Sequence, residues 1–209
     1  FVTGQGSAQR RIIDHLGQSG KLAVAIGVAG SGKSTLLRPL VQAWQADGRV
    51  VHGIALSWRQ TDDLQEAGIS KENRRAVEPF VRALASGKLQ LNARAVVVVD
   101  EIGLLGTRQV NELMRARAAQ NFTLVAIGDP KQMQAVEAGP VLDLLERALG
   151  TDNIPVLASS VRQRDPIERE TVLMFRDGQT QEAVERKATN GTLRIVPGGY
   201  EQPVGAIVA

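Results

Sequence analysis

Leu22-Ala-Val-Ala-Ile-Gly27-Val-Ala-Gly30-Ser-Gly32-Lys33-Ser34-Thr35 is the stretch that decides the fold. Its first five residues are an apolar run of strand length, and apolar residues at helical spacing follow it. The part from Gly27 to Ser34 fits the pattern G-x-x-x-x-G-K-S, in which main-chain N–H groups surround phosphates at the start of a helix. The stretch therefore predicts a phosphate-binding loop for ATP. Its candidate contacts are the glycines Gly27, Gly30 and Gly32, then Lys33 for the β and γ phosphates, Ser34 for Mg²⁺, and Thr35 beside them.

An acidic pair follows the most apolar run of the chain. Ala95 to Val99 is apolar at every position, as in a parallel strand that is covered on both faces. Asp100 and Glu101 would then lie at the carboxyl end of a central strand, next to the phosphate-binding loop. We expect Asp100 to hold Mg²⁺ through water and Glu101 to orient or deprotonate the water that attacks ATP.

A third polar element follows the next apolar run. Phe122 to Ile127 predicts another buried strand, and Gly128-Asp129-Pro-Lys-Gln132 follows it at the same edge of the sheet. In isolation this segment would suit a polar turn. Beside a nucleotide site, Gln132 would bond a γ-phosphate oxygen or the water and so sense whether ATP or ADP is bound. Asp129 is a further candidate contact of the nucleotide.

The order of the segments predicts an α/β fold. Strands alternate with helices, which favours a three-layer P-loop NTPase lobe with a mainly parallel central sheet and right-handed connections. Ser7 is expected to cap the first helix, and Leu144 to lie on the apolar face of a later one. We also expect a helix from Trp58 to Ala67 and a segment from Ser70 to Ala85 that Pro79 interrupts.

Composition excludes several other classes of protein. The 209 residues contain no cysteine, which removes a disulfide framework and a thiolate zinc site. The apolar runs are far shorter than the roughly 18 residues of a membrane helix, so we expect a cytoplasmic protein without membrane insertion. A net charge of +3 suits a phosphate-backbone partner, although arginine on solvated helix faces explains it equally well.

The motifs together, followed by Val161-Arg162-Gln163, resemble superfamily 1 DNA helicases of the RecD-like branch. The flanking residues Asp100 to Gln109 and Gly128 to Gly139 narrow the resemblance to the helicase portion of TraI/TrwC-type conjugative relaxases. It covers about Phe1 to Gly199. It implies a RecA-like ATPase lobe over residues 1–157, the first motor lobe of a helicase that unwinds plasmid DNA for transfer. Residues 158–209 would be a linker and the incomplete start of the second motor lobe.

The resemblance also implies roles for single residues. Gln5 lies in a segment similar to the family's N-terminal glutamine motif and would bind the adenine edge. Ser57, Trp58 and Arg59 stand where the family contacts single-stranded DNA, but the usual form of that motif is Ala-Pro-Thr-Gly-Lys. Trp58 would therefore either stack on a base or lie in the core. Arg162 would be an arginine finger, with Arg164 as the less favoured alternative.

The expected partners follow from the same resemblance. They are single-stranded DNA, a second RecA-like lobe on the same longer polypeptide, of which this chain would be a piece, and a conjugative transfer complex. Two other classes stay open. One is a different P-loop enzyme such as a kinase or GTPase, although the chain has no Asn-Lys-x-Asp for guanine. The other is a degenerate motor lobe that serves for docking, against which the intact Lys33, Ser34, Asp100 and Glu101 argue.

Overall fold

The computed structural model describes residues 3–18, 20–27, 32–130, 140–157 and 166–193. The chain divides into two compact units, Phe1–Arg162 and Gln163–Ala209. The strands of the first unit are β1 Leu22–Gly27, β2 Val50–Ala55, β3 Arg74–Ala76, β4 Ala95–Val99, β5 Thr123–Gly128 and β6 Val156–Leu157. Its helices are α1 Thr3–Gln18, α2 Lys33–Ala46, α3 Trp58–Thr61, α4 Asp63–Glu66, α5 Val77–Ala85, α6 Thr107–Gln120 and α7 Val141–Leu149.

The six strands form one parallel sheet in the order β3-β2-β4-β5-β1-β6. The predicted α/β fold with a parallel sheet is confirmed, and β4 lies inside the sheet as expected. Strand β5 lies between β4 and the loop-bearing strand β1, since it pairs with both. All six carboxyl ends meet at one edge because the strands are parallel.

Helices cover both faces of the sheet, which explains the unbroken apolar run of β4. Val97 and Val99 belong to the core beneath α5, α6 and α7. Val96 and Val98 belong to the core beneath α1, α2 and α4. All four valines are fully buried, and burial of each valine side chain contributes about 1.5 kcal/mol or more to folding.

The segment between β2 and α5 differs from the sequence prediction. The expected helix from Trp58 to Ala67 is two short helices, α3 and α4, with Asp62 between them. The expected segment from Ser70 to Ala85 is divided into a 3₁₀ turn, the edge strand β3 and the helix α5. Pro79 does not interrupt α5, because it is the third residue of that helix, where the missing N–H would have no intrahelical partner.

Two smaller expectations are also wrong. The first helix begins at Thr3, so Ser7 lies inside it and does not cap it. Leu144 is 46% exposed, whereas Val141, Leu142 and Leu145 of α7 are buried. The three buried residues lie on one face of α7, and that face packs in the same core as β4 and β5.

The described residues of the second unit, 166–193, form the helices α8 Pro166–Arg176 and α9 Thr180–Thr189. Two ion pairs of 2.7 Å join them, Glu168 with Lys187 and Glu170 with Arg186. In the described part of the chain, no helix is long and apolar enough to cross a membrane. The assignment of residues 158–209 to a second motor lobe stays a prediction.

Candidate nucleotide site

The carboxyl edge of the sheet brings together the described residues of the three sequence motifs, among them Lys33, Glu101 and Asp129. Lys33 is the first residue of α2, and its α-helical hydrogen bonding begins with Leu36 N–H donating to Gly32 C=O at 2.9 Å. Gly32 has a φ of 81°, a left-handed conformation that glycine adopts without the strain of a side chain. The position immediately before α2 therefore favours glycine.

Lys33 and Glu101 form an ion pair across the site. The Nζ of Lys33 donates to Oε1 of Glu101, and only 12% and 19% of the two side chains are exposed. The pair joins the start of α2, which follows β1, to the turn after β4, and β5 lies between these two strands in the sheet. The sequence predicted both residues in the site, but it did not predict this direct contact.

The backbone at Glu101 is left-handed, with φ 52° and ψ 49°. A residue with a Cβ adopts this conformation at a cost of about 1 to 2 kcal/mol. The Glu101 N–H donates to Oδ1 of Asp100 at 3.0 Å, and its C=O accepts from Leu104 N–H at 2.9 Å. These bonds hold the turn after β4, and strained backbone of this kind is concentrated at functional sites.

Asp100 is buried at the end of β4, with 9% of its surface exposed. Burial raises its pKa from 3.8 to about 6, and the carboxylates of Glu101 and Asp63 act in the same direction. Lys33 and the Glu101 N–H oppose the rise. A cation bound beside this buried carboxyl group would stabilise its charged form and lower its pKa.

The raised pKa makes the stability of the ligand-free chain depend on pH. Between about 4 and 6 the folded state holds a proton that the unfolded state has lost, so stability falls as pH rises through this window. We expect Asp100→Asn to raise the free energy of unfolding at pH 7.5 by up to roughly 3 kcal/mol. The gain should vanish near pH 4. Urea unfolding at the two pH values measures it, and an equal gain at both would contradict the pKa assignment.

Two glycines let the turn after β4 approach the end of β5. A Cβ at Gly128 would lie 3.2 Å from the main-chain N of Gly103 and 3.1 Å from Cδ1 of Leu142. A Cβ at Gly103 would lie 3.1 Å from the same carbon of Leu142. Asp129, the next residue after β5, is 4% exposed. The close contact places Asp129 beside the turn that carries Glu101.

The candidate DNA-contacting residues lie at the same edge, after β2. Ser57 caps the start of α3: its side chain accepts from Gln60 N–H at 3.4 Å, while Gln60 Oε1 accepts from Ser57 N–H at 3.0 Å. Trp58 is 58% exposed, and Ser57 and Arg59 are exposed as well. Of the two alternatives for Trp58, the structure excludes the buried one.

Several predicted residues can be placed only in part. Thr35 is exposed in the first turn of α2, and Gly27 ends β1. Ser34 lies in α2 and Gln5 in α1, but their side chains are outside the described part of the structure. The remaining candidates lie outside the described residues altogether: Gly30, Gln132, Arg162 and its alternative Arg164.

Two residues near the site were missed by the sequence analysis. Asp63, the first residue of α4, contributes to the raised pKa of Asp100. Arg74, in β3, is buried and bonds to α3 and α4. No motif contains either residue, and only the fold brings them to this edge.

These positions define a class of protein. Open parallel sheets bind their ligands outside the carboxyl ends of the strands, and a glycine-rich loop with lysine at that edge binds phosphates of a nucleotide. The fold of this chain is that of a P-loop nucleoside triphosphatase.

The chain belongs to a family of AAA domains, whose family model matches residues 5–198. It is 28% identical over 186 residues to the probable conjugal transfer protein TraA of Sinorhizobium fredii. It is 26% identical over 213 residues to the multifunctional conjugation protein TraI of Escherichia coli. The predicted resemblance to conjugation proteins of this type is confirmed by these matches.

The chain spans only a small part of these relatives. The alignments cover 88% and 99% of this chain, but 16% of the TraA and 11% of the TraI sequence. Among solved structures, domain III of the Thermotoga maritima replication initiation protein DnaA aligns with a TM-score of 0.46 at 12% identity, over 87% of this chain and 72% of that one.

Proposed function

We propose that this chain is the ATP-binding first lobe of a DNA helicase, part of a conjugative relaxase that unwinds plasmid DNA for transfer. The observation that carries the proposal is the placement of an exposed tryptophan, Trp58, at the sheet edge that also holds the Lys33–Glu101 pair. A motor couples nucleotide binding to a change at its DNA contact, and two sites at one edge of the sheet can be coupled in this way.

The ion pair suggests how nucleotide binding starts the chemistry. Lys33 is the cation of the loop, and phosphate oxygens of ATP would take it from Glu101. Glu101 would then be free to accept a proton from the attacking water and orient it toward the γ phosphate. By the resemblance, Gln132 senses the γ phosphate, Gln5 binds adenine, and Arg162 stabilises the charge that develops on the γ phosphate.

The acidic side of the site fits Mg²⁺. Among the described residues no group of three or more His, Asp or Glu side chains converges into a metal cage. Mg²⁺ in nucleotide sites takes one or two protein oxygens and completes its octahedron with phosphates and water. Asp100 and Ser34 are the proposed ligands, with Asp129 nearby, and bound Mg²⁺ would neutralise charge on the phosphates.

Hydrogen bonds between α2 and residues 57–68, the segment that contains the proposed DNA contacts, support coupling of the nucleotide site to the DNA site. Arg38 of α2 donates to the Glu66 C=O at the end of α4 at 2.9 Å, and Gln45 donates to the Gly68 C=O at 3.3 Å. The helix that starts at Lys33 is therefore bonded to the segment that carries Trp58. A shift of α2 when nucleotide binds would move that segment.

Trp58→Ala tests the DNA contact. We expect the affinity for a short oligo(dT) strand to fall by about 1 to 3 kcal/mol, since base stacking on an aromatic ring contributes this much. Fluorescence anisotropy of a labelled strand measures the affinity. The melting temperature should stay near that of the unchanged chain, because the indole is exposed.

Trp44→Phe is the matched control, because Trp44 in α2 is 6% exposed. It should lower the melting temperature and leave DNA affinity unchanged. Equal DNA affinities for the Trp58 and Trp44 variants would contradict the proposed contact. DNA that fails to stimulate ATP hydrolysis by the longer protein would instead favour another P-loop enzyme.

A further inference from the structure

Arg74 is a buried arginine whose charge serves no part of the proposed ATP chemistry. It lies on the edge strand β3 and is 7% exposed. Burying a guanidinium costs free energy unless its donors are paired. Its partners therefore indicate what this side chain is for.

The partners of Arg74 lie on two successive short helices and at Asp62 between them. Its Nη1 donates to the C=O of Thr61 at 2.9 Å and to Oδ1 of Asp62 at 3.4 Å. Its Nη2 donates to Oε1 of Gln65 at 3.2 Å. Thr61 ends α3 and Gln65 belongs to α4, so one side chain joins both helices to the sheet. Helices of four residues do not hold their shape without such external contacts.

The sheet beneath this segment is adapted to it. Arg74 pairs with Gly53 of β2. A Cβ at Gly53 would lie 2.9 Å from Cδ1 of Leu64 and 3.0 Å from Cδ1 of Ile69. Leu64 of α4 therefore packs directly on the glycine, and Arg74 adds a polar attachment beside this apolar one.

The attachment continues to Trp58 through main-chain contacts. Oγ1 of Thr61 donates to the C=O of Trp58 at 2.5 Å, and the Ser57–Gln60 bonds close the start of the same helix. The indole itself is exposed. Arg74 fixes the end of α3 through its bond to Thr61, and the position of α3 determines the position of the Trp58 indole.

We propose that Arg74 is a positioning residue for DNA binding. It fixes α3 so that Trp58 and Arg59 face a single DNA strand bound at the carboxyl edge of the sheet. The inference rests on the proposed DNA contact of Ser57, Trp58 and Arg59. Lysine at this position keeps the charge, but its single nitrogen cannot reproduce the planar fork that serves acceptors on both helices.

Arg74→Met and Arg74→Lys test the proposal, with Arg75→Met as the matched control. Arg75 is the next residue of β3 and pairs with Ile54, so its side chain lies on the opposite face of the sheet from that of Arg74. On that face, the burial of His52 and then the charge of Arg75 lower the pKa of His52. We expect Arg74→Met to weaken oligo(dT) binding on the order of tenfold and Arg74→Lys to weaken it less. The control variant should bind DNA like the unchanged chain, and affinity for a fluorescent ATP analogue should change in none of the three.

A second measurement follows Trp58 without DNA. In a Trp44→Phe background, the anisotropy decay of Trp58 fluorescence reports the motion of α3. Arg74→Met should speed this decay, and Arg75→Met should not. If Arg74→Met fails to fold, a double variant that replaces the exposed acceptors, Asp62→Ala with Gln65→Ala, removes two of the three bonds and should speed the decay in the same way.

The outcomes separate the two proposals. Normal DNA binding and unchanged Trp58 motion in Arg74→Met, beside weakened binding in Trp58→Ala, would overturn the positioning role and leave the DNA contact intact. No DNA binding by the unchanged chain would overturn the proposed function, whereas the Trp58 decay would still decide whether Arg74 fixes α3.

Discussion

Lys33→Ala is expected to abolish productive ATP binding. Lys33 is the cation of the phosphate-binding loop, it begins α2, and it already holds a carboxylate oxygen of Glu101 in the site. Each hydrogen bond from a charged donor contributes about 1.5 to 3 kcal/mol, and two phosphates would lose theirs together. We therefore expect affinity for ATP to fall by roughly 100-fold or more, measured by titration with a fluorescent ATP analogue.

Lys21→Ala provides the control for a lost lysine. Lys21 precedes β1 at the opposite edge of the sheet, where its Nζ donates to the C=O groups of Asn121 and Ala93. Its loss should affect stability and leave ATP affinity near that of the unchanged chain. Comparable ATP affinities for the Lys33 and Lys21 variants would show that the phosphate-binding loop is assigned wrongly.

Glu101→Gln should have the opposite effect on binding. It removes the carboxylate that competes for Lys33, so we expect ATP to bind at least as tightly as to the unchanged chain. Turnover by the longer protein should be lost, because an amide cannot accept the proton of the attacking water. Together the Lys33 and Glu101 variants separate nucleotide binding from hydrolysis.

The sequence predicted this edge of the fold well because its signals are local. A glycine-rich turn between a strand and a helix, and an unbroken run of valines, each have one structural explanation. Strand order is set by tertiary pairing, so the sequence did not show that β5 separates β1 from β4. The left-handed backbone at Glu101 likewise depends on bonds that only the folded turn makes.

The DNA-contacting segment was harder to predict for a related reason. Strand β3 has three residues, two of them arginines, and carries no alternation of apolar and polar residues. Arginine is ordinarily an exposed residue, so nothing in the sequence marks Arg74 as buried. Trp58 suits both a core and a stacking surface, and its exposure depends on where α3 lies.

The 209-residue chain alone is expected to bind Mg-nucleotide weakly and to hydrolyse almost none. In the proposed two-lobe motor, the first lobe supplies the loop, the metal ligands and the base. The second lobe supplies further arginines and positions Arg162, so that the charge that develops on the γ phosphate is stabilised. Of the first set, the described residues include Lys33, Asp100 and Glu101 at one edge. An arginine placed on the γ phosphate accelerates related reactions by roughly 10³ to 10⁵.

Steady-state phosphate release, measured for this chain beside the longer polypeptide, tests that expectation with and without single-stranded DNA. Both relatives extend far beyond the aligned region, which makes up 16% of the TraA and 11% of the TraI sequence. The longer polypeptide should show DNA-stimulated turnover that Glu101→Gln removes, and this chain should show none above the same variant. Strong DNA-stimulated turnover by the chain alone would contradict the two-lobe proposal. It would indicate instead an arginine lent by a second copy, which a dependence of specific activity on protein concentration would reveal.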